Sequence, residues 1–338
     1  SLFLAWTAFL PSLYAAPLLQ KRSESGPHIT TDFPDPSILR VGSTWYAFAG
    51  QSLYDYKSTH IQFATSTDFE TWTLQPGNDM LPDLPSWVDS SKNHIWAPDI
   101  NHLVHTFLLL VVFIIDKNQD DGRFLLYFSA PTYDTNAPHC IGTAFSDSVD
   151  GPYTPDETSF ACPADQGGAI DASGFRDADG TRYVVYKIDA NSLGHGGTCN
   201  NGVEPIVPTP ILIQQVESDG VTKVGDTSEL ITNDSPEDGP LVEGPSLIHS
   251  GDTYYLFYSS NCFTTTNYDV AYATSSSPTS GFTKQGTLFG TGYGGLKGPG
   301  GADAAFDNSH FAFAAQKGDG RRGLYTAQIT LSGDSVSA

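Results

Sequence analysis

The sequence has 338 residues, enough for one large domain or two, and carries 38 acidic against 16 basic side chains. The formal net charge of −22 argues against nucleic acid and anionic membrane as partners, because a polyanion would be repelled, and favours a neutral ligand. The 33 Gly, 22 Pro, 20 Phe and 16 Tyr, with a single Met, are typical of a turn-rich all-β protein.

The first 22 residues resemble a secretory signal peptide followed by a dibasic processing site. An apolar stretch precedes the small residues Ala15 and Ala16, and the pair Lys21-Arg22 follows. The apolar run is too short to span a bilayer, so no membrane anchor is expected. We therefore predict a secreted, extracellular protein whose folded part, residues 27–338, is one domain.

The cysteines agree with secretion, since an oxidising compartment would allow two disulfides. They are Cys140, Cys162, Cys199 and Cys262. Three pairings are open, and proximity in the sequence favours Cys140–Cys162 with Cys199–Cys262. Because no two cysteines form a CxxC pair, a zinc site is not expected.

One sequence unit, a tight polar turn followed by an aromatic-rich strand, recurs five times along the chain. The copies are GSTWYAFAG from Gly42, DGRFLLYFSA from Asp121, DGTRYVVYK from Asp179, GDTYYLFYSS from Gly251 and DNSHFAFAAQ from Asp307. Their spacing leaves room for about four short strands each, which predicts a five-bladed β-propeller with few exposed sheet edges. A β-sandwich is the alternative, but it would not explain five similar units.

One segment interrupts this spacing. The stretch NHLVHTFLLLVVFIIDKNQD follows Ile100, where other copies have a gap of only a few residues, and Phe107 to Ile115 is continuously apolar. Two interpretations are open. The segment is a buried extra strand, or residues 102–116 are translated non-coding sequence such as a retained intron, because their removal restores the repeat.

A carboxylate precedes each copy of the repeat. The five are Asp35, Asp99, Asp171, Glu243 and Asp303. We expect all five to hold the same position, so that they converge at one end of the central channel. Converging carboxylates raise one another's pKa, and this divides them into a protonated acid and an ionised base, the pair that inverting glycoside hydrolysis needs.

Other residues near these acids are candidates for substrate contact. Trp96 and Phe33 could stack on sugar faces or equally belong to the core, and His94 could line the same pocket. Asp32, two residues before Pro34, is expected to be solvated.

Four segments in order, FPDPSIL, HIWAPDI, IDASGFRDADG and VEGPSLI, resemble the signature blocks of family 43 glycoside hydrolases. These are five-bladed propellers that cleave arabinan and xylan linkages with inversion, and the resemblance runs from Asp32 to Ile329. It implies that Asp35 is the general base, Glu243 the general acid and Asp171 the group that sets the pKa of the acid. It also places Trp96 near the substrate and gives Asp99 a supporting role at the substrate site.

The resemblance has one departure that concerns metal binding. Many members have Gly-His-Asn-Ser in the fifth blade, whereas this chain has Gly300-Gly301-Ala302-Asp303, which argues against an axial calcium ion. We therefore expect no metal and no cofactor.

The expected substrate is an oligo- or polysaccharide of the plant cell wall. Many family β-xylosidases carry a further C-terminal β-sandwich that this sequence lacks, so arabinan-type linkages are favoured over xylo-oligosaccharides. We expect a monomeric α-L-arabinofuranosyl hydrolase. A β-xylosidase and a catalytically impaired carbohydrate-binding propeller are the alternatives.

Overall fold

The computed structural model describes residues 24–92, 94–103 and 122–338. Within these residues the chain forms five four-stranded antiparallel sheets and one separate hairpin. The predicted signal peptide and processing site, residues 1–22, lie outside the described residues.

The strands follow the chain in order, and each complete blade uses four of them. Strand β1 is Glu24–Ile29, and the first blade is β2 (Ser37–Val41), β3 (Thr44–Ala49), β4 (Gln62–Ser66) and β5 (Thr73–Leu74). The second blade is β6 (Trp96–His102), β7 (Phe124–Pro131), β8 (His139–Ser146) and β9 (Thr154–Pro155), and the third is β10 (Ala169–Arg176), β11 (Arg182–Ile188), β12 (Ile211–Val216) and β13 (Lys223–Ile231). The fourth is β14 (Val242–Ser250), β15 (Thr253–Ser260), β16 (Val270–Ser275) and β17 (Thr283–Phe289).

The fifth blade closes the ring with both ends of the chain. It contains β18 (Gly300–Ala304), β19 (His310–Gln316) and β20 (Arg322–Gln328), and β1 adds its fourth strand by pairing with β20. A final hairpin consists of β21 (Thr330–Ser332) and β22 (Ser335–Ser337). Because β1 is far from β20 in sequence, this pairing ties the start of the described chain to the last blade and closes the ring. The predicted five-bladed β-propeller is confirmed.

Helical structure in the described residues is brief and lies in the connections. It consists of one helix, α1 (Ser235–Asp238), and the 3-10 turns Ala164–Gln166, Ala190–Ser192, Thr198–Asn200 and Tyr293–Gly295. No helix among these residues is long and apolar enough to cross a membrane.

Each sheet is buried on both faces because it packs between two neighbours. In β7, Phe124, Leu126 and Phe128 pack towards the first blade, whereas Leu125 and Tyr127 pack towards the third. Alternate residues of a strand point to opposite faces, so a strand of this kind must be apolar at nearly every position. The aromatic-rich repeat units are thus the middle strands of the blades.

Phe33 lies in this packing and not at a binding surface. Its side chain is fully buried between the first and fifth blades, in contact with the cluster that contains Trp45 and Leu324. The expectation that Phe33 could stack on a sugar is therefore wrong, and its alternative assignment to the core is correct.

The start of the interrupting segment belongs to the second blade. His102 pairs with Phe124, and the amide of Leu103 donates a 2.9 Å hydrogen bond to the carbonyl of Arg123. Residues 104–116 lie outside the described residues. The hypothesis that residues 102–116 are translated non-coding sequence stays a prediction, but the two described residues, His102 and Leu103, complete the β6–β7 ladder.

The disulfides are Cys140–Cys162 and Cys199–Cys262, as favoured from the sequence. The first ties β8 to the connection that leads into the third blade. The second joins the connections that follow β11 and β15, and so links the third blade to the fourth.

Candidate active site

Every blade has one residue with left-handed backbone geometry in its inner strand or, in the first blade, two residues before it. These residues are Asp35 (φ 49°), Ala97 (φ 43°), Asp171 (φ 58°), Gly244 (φ 58°) and Gly301 (φ 57°). In four blades the ladder to the second strand shifts register at this point, as in a β-bulge. Left-handed geometry is unfavourable for Asp and Ala, so the backbone stores strain around one pocket at the propeller axis.

This geometry corrects the expected alignment of the five acids. Asp35 and Asp171 occupy the left-handed position, Glu243 comes one residue before it, and Asp99 and Asp303 come two residues after it. The acids therefore form two layers. Asp35, Asp171 and Glu243 lie at the mouth of the channel, and Asp99 and Asp303 lie within it.

Arg322 fixes the first of the mouth carboxylates. Its Nη1 donates a 2.8 Å hydrogen bond to Oδ1 of Asp35, and its Nη2 donates to the carbonyl of Gly300 at 2.9 Å. The guanidinium also lies over the ring of Tyr268, 5.0 Å from the centroid. Because Arg322 is buried and Asp35 keeps about a third of its side chain exposed, this contact holds the Asp35 carboxyl group facing the pocket.

Asp32 is buried, which corrects the expectation that it is solvated. It is 5% exposed and accepts hydrogen bonds from Oγ of Ser52 at 3.0 Å and from the amide of Arg322 at 3.0 Å. Asp32 thus joins the first blade to the fifth just behind Asp35.

Glu243 and Asp171 lie side by side on neighbouring blades. The amide of Gly244 donates a 3.0 Å hydrogen bond to Oδ2 of Asp171, and Nζ of Lys187 lies 3.1 Å from Oε2 of Glu243. Burial, and then the charge of Glu243, raise the pKa of Asp171 to about 7. We call these two residues the Asp171–Glu243 pair.

The two channel aspartates join blades to one another. Oδ2 of Asp99 accepts from the amide of Gly174 at 2.7 Å, and Asp303 accepts from the amide of Ile38 and from Oγ of Ser246, both at 2.8 Å. Burial and the neighbouring Asp303 raise the pKa of Asp99 to about 8, and burial raises that of Asp303 to about 6. Asp99 lines the pocket but is only 8% exposed, which fits the supporting role that the resemblance gives it.

Trp96 is partly exposed on the second blade and comes one residue before Ala97, which lines the pocket. The ring of His139 packs edge-on against it at 4.6 Å, and that of His94 lies 5.7 Å away. Nδ1 of His139 is 2.6 Å from Oδ2 of Asp189, which is fully buried. The structure therefore brings predicted Trp96 and His94 together with a histidine that a buried carboxylate holds in place.

Sequence reasoning missed Arg322, Lys187, His139 and Asp189. Lys187 could have been noticed by comparing the repeat units, because it is a charged residue at a position where other blades have small ones. The equivalent residues of the second, fourth and fifth blades, each paired with the residue before the left-handed position, are Ser129, Ser259 and Ala314. Arg322 and His139 carry no comparable local signal, because their carboxylate partners, Asp35 and Asp189, lie on neighbouring blades.

Metal binding has no candidate cluster in the described part of the chain. No group of three or more His, Cys, Asp or Glu side chains there could hold a metal ion. The absence of an axial calcium ion stays a prediction.

Comparison with known proteins decides the family. The sequence model described as "Glycosyl hydrolases family 43" matches residues 25–305, which is most of the chain. The chain belongs to this family. This membership agrees with the resemblance of its four motif segments.

The relatives found by sequence include named arabinanases. The extracellular endo-alpha-(1->5)-L-arabinanase of Thermotoga petrophila is 27% identical over 256 residues, covering 67% of this chain and 45% of that enzyme. The extracellular endo-alpha-(1->5)-L-arabinanase 1 of Bacillus subtilis is 24% identical over 291 residues, covering 81% and 77%. The chain thus spans less than half the length of the first of these relatives.

Solved structures share the fold. A thermostable family-43 glycoside hydrolase superposes with a TM-score of 0.70 at 21% identity, covering 91% of this chain and 92% of the other. The native Bacillus subtilis arabinanase superposes with a TM-score of 0.65 at 20% identity, covering 92% and 98%. Both support the propeller architecture over nearly the whole described chain.

Proposed function

We propose that the protein is a secreted, monomeric, inverting hydrolase of α-L-arabinofuranosyl linkages in plant cell-wall polysaccharide. The observation that carries the proposal is the set of three mouth carboxylates, in which Asp35 has a cationic partner of its own and Glu243 and Asp171 face each other. An ionised base and a protonated acid at one pocket are the chemistry that inverting glycoside hydrolysis requires.

In this mechanism, Asp35 acts as general base. It takes a proton from a water molecule, whose oxygen attacks the anomeric carbon as the bond to the leaving oxygen breaks. Arg322 supports this role because its hydrogen bond holds the Asp35 carboxylate in place.

Glu243 acts as general acid and Asp171 as its partner. The proton held by the Asp171–Glu243 pair passes to the leaving oxygen, which departs as an alcohol. The products are a sugar hemiacetal and the shortened chain. Loss of a proton from Asp35 and uptake of one by the pair restore the starting state.

Arabinan is favoured as the substrate because several relatives are named arabinanases, including both described above. A β-xylosidase remains the second candidate because "Xylosidase/arabinosidase 43B" of Humicola insolens is 27% identical over 226 residues. Secretion is supported by the two disulfides and by relatives named extracellular.

The test compares wild type with Glu243→Gln and Asp35→Asn on debranched arabinan and on aryl arabinofuranoside and aryl xyloside. Each variant should lose about 10²–10⁴-fold in kcat, since each removes a proton-transfer group. Glu229→Gln, on the exposed outer strand of the third blade, is the matched control and should retain full activity.

The stereochemistry is measured separately by NMR of the first product formed from the aryl glycoside. We expect an inverted anomer. A retained anomer, or near-wild-type activity in either active-site variant, would contradict the assigned roles. Release of xylose alone would favour the β-xylosidase, and binding of polysaccharide without hydrolysis would favour the impaired propeller.

A further inference from the structure

Lys187 is a fully buried lysine beside the candidate active site. It lies in β11 between Ile170 of β10 and Ile211 of β12, and its side chain has no exposed surface. Burying an ammonium group is strongly unfavourable unless opposite charges and hydrogen bonds compensate it. The surroundings of Lys187 must therefore supply that compensation.

The position of Lys187 in the repeat shows that it has an unusual partner. In the second and fourth blades the equivalent residue is a serine, and its hydroxyl oxygen accepts a hydrogen bond from the backbone amide of the left-handed residue on the next blade. Ser129 accepts from Asp171 in this way, and Ser259 accepts from Gly301, both at 2.9 Å. Lys187 instead reaches the side chain of Glu243, at 3.1 Å.

Three carboxyl groups face the ammonium group of Lys187. Besides Glu243 they are Asp171 on β10 and Asp189, which is two residues further along the chain and bonded to His139. Burial alone would lower the pKa of Lys187, but Glu243, Asp189 and Asp171 raise it above its ordinary value. The lysine is therefore charged.

The remaining charges around Glu243 belong to the base. Asp35, Arg322 and the Tyr268 hydroxyl face it from the first, fifth and fourth blades. Arg322 bonds Asp35 directly, so its charge is already balanced. Arg322 also interacts electrostatically with Glu243, but Lys187 is the cation that contacts this carboxyl group directly.

We propose that Lys187 is a positioning residue that holds the Glu243 carboxyl and balances one negative charge of the Asp171–Glu243 pair, so that this pair enters the reaction with a single proton. The inference rests on the proposed function. When that proton passes to the leaving oxygen, both carboxyls are negative, and the adjacent ammonium stabilises the charge that develops. A serine at this position could not do so.

The test is the pH dependence of kcat for Lys187→Met on debranched arabinan. Methionine keeps most of the side-chain volume but removes the charge, so the pair should hold its proton more tightly. Since an opposite charge within about 4–6 Å typically moves a carboxyl pKa by about 1–3 units, the alkaline limb should move up by about one unit or more.

Lys284→Met is the matched control. Lys284 lies on the outer strand of the fourth blade, β17. It forms an ion pair with Asp238 and donates a 2.8 Å hydrogen bond to the carbonyl of Thr232. Its limb should coincide with that of wild type. A folded, active Lys187→Met enzyme with an unmoved limb would overturn the inference, whereas a wild type inactive on every glycoside would overturn the proposed function instead.

A stability measurement decides the matter if Lys187→Met is inactive. The free energy of unfolding is compared for Lys187→Met, Glu243→Gln and the double variant. Each single change leaves a buried charge with a lost partner, so the double variant should be less destabilised than the sum of the two. Additive effects would contradict the proposed contact.

Discussion

Asp99→Asn should remove a pH-dependent loss of stability that originates inside the propeller channel. Asp99 is buried, and burial together with Asp303 raises its pKa to about 8, compared with about 3.9 for an unperturbed aspartate. From about pH 4 to about pH 8 the folded protein therefore binds more protons at this site than the unfolded chain does. Stability falls as pH rises through this window, because the unfolded chain releases this proton while the folded protein retains it.

The magnitude follows from the shift in pKa. One unit corresponds to 1.36 kcal/mol, so ionisation of Asp99 in the folded state costs on the order of 3–5 kcal/mol at pH 8 and above, with part of it shared with Asp303. Asparagine resembles the protonated acid in size and keeps an oxygen that can accept from the amide of Gly174.

The assay is chemical denaturation at pH 4, 6 and 8 with both disulfides intact. At pH 4 the variant should be close to wild type, and at pH 8 it should be more stable. Asp79→Asn is a control of opposite sign. Burial disfavours the ionised form of Asp79, but hydrogen bonds from His60 and Ile61 lower its pKa overall. That variant should lose more stability at pH 7 than at pH 3, and parallel pH profiles for wild type and Asp99→Asn would refute the reasoning.

Two further predictions concern the pocket mouth and the interrupting segment. His139→Ala should raise KM for debranched arabinan more than it lowers kcat, because this histidine packs on Trp96 and not on the mouth carboxylates. The control His310→Ala also removes a histidine packed on a tryptophan and should leave KM unchanged. An unaltered KM in His139→Ala would contradict the role of His139. Deleting residues 104–120 should leave a folded, active enzyme with an unchanged melting temperature. An Asp-Gly pair favours a two-residue hairpin turn, so Asp121-Gly122 could then connect the paired ends of β6 and β7. An insoluble product would show instead that the segment is required.

The repeat made the architecture predictable. Each blade contains a polar turn followed by an aromatic-rich strand, and this local pattern can be recognised in the sequence without knowledge of the rest of the fold. The prediction of Asp35, Asp171 and Glu243 as site residues rests on equally local patterns, since each motif segment is recognised without reference to the other segments. Phe33 shows the limit, because in a sequence an aromatic residue beside a candidate carboxylate looks the same whether it faces a sugar or the core.

The sequence by itself predicted the number of blades, the favoured disulfides and the set of five acids near the channel. Only the tertiary structure decided which acids share a layer, because the left-handed bulge displaces Glu243, Asp99 and Asp303 from the position that Asp35 and Asp171 hold. It also decided the partners of the acids. Arg322 meets Asp35 across nearly the whole chain, and Lys187 meets Glu243 across a blade boundary. Such contacts form where neighbouring blades pack, which brings together side chains whose local sequences contain no record of each other.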